Sequence, residues 1–446
     1  MAAPAVALQA TPRRGGRSPI AVAFLVLPFL VLPALAQAQE RKTLEECIDI
    51  ALRQQPTLRA AAATVAAARE RVWQTASAYL PQVAANYQAN RRHQSASSAT
   101  GGTGGGQSQT FPFYSTGVAL TQVLFDFGQN LELIHAAQAS AQALGADADT
   151  QHDTVVFNVQ QAYFALLAAY RLRDVAEETV AQNQKHLDLA EGRHDVGLAP
   201  RFDVTNAQVQ LATAELNRVT ARNNVSLGRE TLRNALGLLG PLDFDIVDSL
   251  EQPRIEVGDA EAFDLAYANR PELKSLVAQE RANVERIKAI QKDYLPKLIS
   301  IDNVTWSGQT YPLQENWNVS AAVNLSIFNG GLTTAQVGEA KADLENLRAT
   351  EDATRQNVTL EVQQALLNVR QATESIGVAD KGLQLARENV SLAEGRYAAG
   401  VGTIIELTDA QASLATAEAS RVQALVGYRT ALATLERSTA HRFATD

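Results

Sequence analysis

A single cysteine, Cys47, stands in a chain of 446 residues, and one thiol cannot close an internal disulfide. Leu44-Glu45-Glu46 ahead of it is unlike the small apolar residues that precede a lipidated cysteine, so Cys47 is expected to be a small buried hydrophobe. The six histidines are scattered, no His-Glu-x-x-His occurs, and no serine stands in a nucleophile turn. This excludes the familiar zinc and nucleophile chemistries, and we expect no enzyme, no catalytic residues, no metal and no cofactor. Asp149, His152 and Asp153 have metal-compatible helical spacing but no fourth ligand nearby, and read as a solvated helix face. The glycine run Gly101-Gly102-Thr103-Gly104-Gly105-Gly106 lacks the Gly-Lys-Ser/Thr ending of a phosphate loop. Past residue 38 no stretch has 18 consecutive apolar residues, so no spanning helix is expected in the mature protein. Basic charge is scarce as well. The net charge of −9 becomes −12 once the three arginines of the first 38 residues are set aside, which argues against nucleic acid as a partner.

Those first 38 residues read as an export signal. Arg13, Arg14 and Arg17 precede an apolar run from Pro19 to Leu35, and Ala34-Leu35-Ala36 or Ala36-Gln37-Ala38 suits a small-residue cleavage site.

The mature sequence is an internal duplication. Ala190-Glu191-Gly192-Arg193 answers to Ala393-Glu394-Gly395-Arg396, 203 residues on. Tyr79-Leu80-Pro81 answers to Tyr294-Leu295-Pro296, 215 residues on. The difference of 12 lies in a Gly/Ser-rich stretch between Pro81 and Val118, a composition suited to a flexible loop. The first repeat spans 39–238, a linker 239–262, and the second repeat 263–440.

Around the loops the hydrophobic period falls to two. Val83, Ala85, Tyr87 and Ala89 alternate with polar residues, as do Val118, Leu120 and Leu124, and Val319, Ala321, Val323, Leu325 and Ile327. Strands are expected near 82–92, 113–125, 297–307 and 317–328, the third alternating too poorly to assign its faces. Such strands suit a membrane barrel with apolar residues toward lipid, and Phe111, Phe113, Trp306, Trp317 and Phe328 stand where an interfacial girdle would lie. The other reading is a small soluble sheet.

After the strands, about 66 residues from Gln129 and as many from Leu332 run without a proline, each able to form a helix of roughly 100 Å. Val159, Tyr163, Leu166 and Tyr170 form a heptad-like seam, matched by Val362, Leu366, Val369, Thr373 and Ile376. Turns at about 197 and 400 lead into return helices from about Asp203 and Glu406. Each half therefore supplies two strands, and four strands cannot close a barrel, so the chain must oligomerise; residue pattern alone allows two or three copies.

With these features in hand the chain resembles the TolC family of bacterial outer-membrane efflux proteins over essentially its whole mature length. The most specific motifs are Gly197-Leu198 followed by Asp203-Val204-Thr205-Asn206, and Tyr397, Gly400, Glu406 and Asp409. The resemblance implies a membrane α/β fold: a homotrimer with a 12-stranded barrel in the outer membrane of a Gram-negative bacterium, continued by a long α-helical coiled-coil tunnel into the periplasm. It implies a passive exit duct of a tripartite efflux or type I secretion system. Its partners would be outer-membrane lipid, a periplasmic adaptor, and an inner-membrane pump of RND, ABC or MFS type. By the same comparison Asp203, Tyr397, Glu406 and Asp409 would form the channel constriction and the network that shuts it. Val196, Gly197, Leu198, Gly400, Val401, Gly402 and Thr403 would form the adaptor-docking tips. One departure stands out: an arginine that links the hairpins in the family pattern falls at Gly402, leaving its role to another group such as Arg201. The alternative of another class is a secreted coiled-coil structural or adhesive protein with a small soluble β-sheet.

Overall fold

The computed structural model describes residues 41–94, 108–250 and 258–443. The export signal, the glycine run at 101–106 and part of the linker lie outside them. The first copy runs β1 (Arg41–Lys42), α1 (Leu44–Gln54), α2 (Pro56–Ala76), β2 (Gln82–Gln94), β3 (Gln109–Phe125), α3 (Gln129–Asp195) and α4 (Arg201–Ala235). After β4 (Asp245–Ile246) the second runs α5 (Asp259–Asn269), α6 (Pro271–Gln291), β5 (Lys297–Gly308), β6 (Gln314–Asn324), α7 (Leu332–Ala398) and α8 (Ile404–Thr439). Both outgoing helices, α3 and α7, have 67 residues, a length of about 100 Å at the ordinary rise per residue.

Local chemistry sets the boundaries. Thr43 and Glu46 form a reciprocal capping box that starts α1. Pro56 and Pro271 open α2 and α6 at the position where a missing N–H costs nothing. At the joint between sheet and tunnel, buried Asp126 accepts from the hydroxyl of Tyr79 at 3.0 Å and from the amides of Gly128 and Asn130 at 2.9 Å. It thereby caps the start of α3.

The four long strands form one antiparallel sheet in the order β2-β3-β5-β6, which leaves β2 and β6 as edges. Cross-strand partners share a face, and the register sorts them cleanly. Ala85, Val118, Val304 and Trp317 lie in one row, and Asn86, Gly117, Thr305 and Asn316 in the next row on the opposite face. Trp317 and Val319 are each 72 % exposed, an apolar surface that calls for lipid rather than water. The register also explains why β5 has no legible alternation. Ser300 and Asp302 fall on its apolar face, and Ile299 and Ile301 on its polar one. Asp302 is tolerated there because it accepts from Ser300 Oγ at 2.9 Å and from the Ser320 amide at 3.2 Å.

Several strand bounds differ from the sequence reading: β2 runs on to Gln94 and β6 starts at Gln314. β6 stops at Asn324 rather than near 328, because its partner β5 begins only at Lys297, after Pro296. β3 starts at Gln109, not near 113, and so includes Pro112. That proline pairs with Arg91 on β2 in a segment where β5 has not yet joined, so its missing N–H faces no ladder on the other side.

The expected helical seams are used differently. Val159, Tyr163 and Leu166 do not zip α3 to a long neighbour alone. They pack with Cys47, Ile48 and Ala51 of α1, with Leu232 and Leu236 at the end of α4, and with Phe244, Ile246 and Leu250. The hydroxyl of Tyr163 donates to the Val247 carbonyl at 2.6 Å. Residues 242–250 are therefore part of a collar core, fastened by parallel pairing of β1 with β4, rather than a bare linker. Val362 and Leu366 make the matching core with Ala262 and Ala266 of α5 and with Leu435. Each large side chain so buried contributes about 1.5–3 kcal/mol. The heptad packing lies nearer the tips: Leu383, Val390 and Tyr397, at seven-residue intervals, meet Ile404, Leu407 and Leu414, at intervals of three and seven.

Cys47 sits in the collar core with no exposed surface, and burial pushes its thiol up to about 12. Its thiolate fraction near neutral pH should lie about a thousandfold below that of the unfolded chain. Maleimide labelling is therefore expected to be negligible in the folded protein and complete after denaturation; rapid native labelling would contradict the packed collar.

Candidate functional site at the hairpin tips

Both long hairpins turn by the same device. Gly197 has φ +76° and Gly400 φ +75°, the left-handed backbone that glycine adopts without penalty. The amides of Gly197 and Leu198 donate back to His194 and Arg193, both at 2.8 Å. Those of Gly400 and Val401 donate to Tyr397 and Arg396 at 3.0 and 3.1 Å. The copies then part. Pro200 leads into α4, whereas Thr403 caps α8 by accepting from the Glu406 amide at 3.2 Å. Val196, Leu198, Phe202, Val401 and Ile405 are exposed around the two glycines, giving the paired tips an apolar surface.

Above the tips the hairpins are tied together. Arg193 of α3 donates through Nη1 to the carbonyl oxygen of Tyr397 on α7 at 2.6 Å, and its guanidinium lies 4.7 Å from the centre of the Tyr397 ring. The ring is buried, and its hydroxyl has no hydrogen-bond partner among the described residues. Burial raises the pKa of that hydroxyl, and the carboxylate of Asp203 raises it further, while Arg193 acts in the opposite sense. The structure thus brings Asp203, Tyr397 and Arg193 into one electrostatic group. A charge-assisted bond of this kind contributes about 1.5–3 kcal/mol. A second crossing lies higher, where His186 Nε2 of α3 meets the side-chain amide of Gln411 on α8. Burial holds the pKa of His186 below its usual range.

Glu406 and Asp409 stay on the exposed side of α8, one turn apart. Glu406 is paired with Arg396 of its own hairpin, Nε to Oε2 at 3.3 Å. Arg193 and Arg396 are repeat equivalents with different employment: one reaches across to the neighbouring hairpin and the other stays at home. The bond between the two hairpins is made by Arg193, while Arg201 is exposed in the first turn of α4. Only the pairing of the two arginines in the repeat alignment hinted at this. Gly402 is fixed by crowding, because a Cβ there would sit 2.9 Å from Arg396 Cβ and 3.1 Å from the amide nitrogen of Tyr397.

The trio noted for its metal-compatible spacing lies on the face of α3. His152 pairs with neighbouring Asp153 at 3.1 Å. Glu132, His135 and Glu285 do converge, but Lys292 already holds Glu132 at 2.7 Å and Lys288 holds Glu285 at 2.9 Å.

Gly402→Ala is expected to cost about 1–3 kcal/mol through the forced contact. Hydrogen exchange of the amides at 400–406 should speed up accordingly; unchanged protection would show that the close approach is not real.

The sequence matches the family described as outer membrane efflux protein over residues 47–238 and 262–441. It is 25 % identical to outer membrane protein TolC of Escherichia coli (strain K12) over 427 residues, covering 90 % of this chain and 84 % of that one. Among solved structures, a membrane protein from Pseudomonas aeruginosa superposes with a TM-score of 0.78 at 22 % identity, over 92 % of this chain and 99 % of that one. The channel CusC superposes with a TM-score of 0.80 at 18 % identity, over 91 % and 93 %. Two matched halves, a sheet with one apolar face and a pair of long hairpins lead to one conclusion: this chain belongs to the outer membrane efflux protein family, as an outer-membrane channel of the TolC kind.

Proposed function

We propose that three copies of the chain close into a 12-stranded barrel, and that their helices continue as a tunnel through which a pump's substrates leave passively, without catalysis by the duct. The observation that carries this reading is the sheet. Its apolar face is exposed and each chain contributes four strands to it, with β2 and β6 at the edges. Backbone groups cannot be left unpaired in hydrocarbon, so the β2 edge of one copy pairs with the β6 edge of the next until the ring closes. An outer-membrane protein leaves no place for the secreted, soluble alternative.

In this reading the apolar tips around Gly197 and Gly400 dock a periplasmic adaptor that joins the duct to an inner-membrane pump. Val196, Leu198, Val401 and Thr403 are exposed there, as the contact requires. Glu406 and Asp409 from each chain ring the narrowest part of the bore. Asp203, Tyr397 and Arg193 hold the hairpins in the closed arrangement. Because Arg396 partly neutralises Glu406, Asp409 carries more of the ring's free charge, and a ring of carboxylates favours cations.

Two measurements on single channels in planar bilayers test this. Glu406→Gln with Asp409→Asn is expected to weaken block by divalent cations, with most of the effect due to Asp409→Asn; unchanged block would remove both residues from the constriction. Arg193→Ala is expected to raise the resting conductance severalfold while the assembly stays intact, and an unaltered conductance would sink its role in closure.

A further inference from the structure

Halfway along α3, against the collar core, lies a cavity of about 490 Å³ bounded by α1, α3, α8 and the residues just after α8. One side of it is apolar, formed by Phe164, Leu432 and Phe443. The other carries Arg429, and Arg429 has a problem. The residue is 3 % exposed, and Nε and Nη2, the two nitrogens of one flat edge of the guanidinium, are buried without a hydrogen-bond partner among the described residues. The Tyr428 ring, 5.9 Å from the guanidinium carbon, offers only a distant cation–π contact.

Buried ionic groups nearby are treated differently. Glu436, on the same cavity wall, accepts from Gln160 Nε2 at 2.7 Å and from the Phe443 amide at 3.1 Å. Arg270, at 7 % exposure, donates to the Ser438 carbonyl at 2.8 Å and is paired with Glu361. Glu436 acts on Arg429 only through space and makes no ion pair with it, and a buried guanidinium edge left without hydrogen bonds is strongly disfavoured. The Nε–Nη2 edge, moreover, has the fork geometry that takes two oxygens of one carboxylate at once.

We propose that this cavity is a binding site for a small organic carboxylate with an apolar body. The carboxylate pairs with the Nε–Nη2 edge of Arg429, and the body rests on Phe164, Leu432 and Phe443. A monoanion fits better than phosphate, because Glu436 shares the wall and repels a second negative charge, and because an apolar wall has nothing to give a dianion's remaining oxygens. Arg442 stands at the mouth, tied to Glu45 only at 3.9 Å with both side chains more than half exposed. Such a pair is weak, so Arg442 is free to draw an anion inward. The site lies in the collar, far along the helices from the tips, and is independent of the closure described above.

The test is thermal unfolding of the full-length protein in lipid nanodiscs, titrated with sodium benzoate against sodium chloride at equal ionic strength. Benzoate is expected to raise the unfolding temperature saturably, and chloride is not. Arg429→Met keeps a long side chain and removes the buried guanidinium edge that lacks hydrogen bonds, so it should fold at least as stably without benzoate and lose the benzoate shift. Glu436→Gln should lower the concentration needed for half the shift. The proposal is overturned by the absence of a saturable shift in the wild type or by an equal shift in Arg429→Met. It is overturned equally by a cryo-EM reconstruction without benzoate that shows a neighbouring copy's carboxylate on the Nε–Nη2 edge.

Discussion

Backbone hydrogen bonding in hydrocarbon is the constraint on which the rest of the molecule depends. A four-stranded sheet with one apolar face cannot remain open in lipid, and it cannot curl closed on itself. The chain solves this by association rather than by length. Duplication supplies two hairpins per copy, and the register between β3 and β5 joins them into one continuous sheet within a single chain. The same register accommodates Asp302 on the apolar face by giving its carboxylate oxygens partners within the sheet.

A barrel built this way must hand over to helices without leaving polar backbone exposed at the joint, and Asp126 does so by capping α3 while holding Tyr79. From there the two 67-residue helices could not be stiff on their own. Their middle thirds are gripped by α1 and α5, which turns the centre of each into a collar and leaves coiled-coil packing for the half nearer the tips. At the tips duplication gives way to division of labour. Equivalent arginines, 193 and 396, face different partners, and equivalent turns are followed by Pro200 in one copy and by the Thr403 cap in the other.

Much of this was legible in the sequence because it is periodic or local. Period-two alternation marked three of the strands, the absence of proline marked α3 and α7, and glycine marked the turns at 197 and 400. What could not be read depends on contacts between distant segments. The faces of β5 are set by its neighbours, not by its own pattern. The heptad-like residues Val159, Tyr163 and Leu166 gave the right face of α3 but not all of its neighbours, because the packing of α1 and the 242–250 segment leaves no period in the sequence. Arg193 looked like any charged residue near a helix end, and Gly402 looked like a missing arginine, until the turn showed that no side chain fits there.

The most direct measurement is the mass of the intact protein, taken by native mass spectrometry after release from outer membranes in mild detergent. Closure as a 12-stranded barrel predicts three mature chains per particle and no stable monomer in the membrane fraction. A particle of one or two chains that still conducts would contradict it.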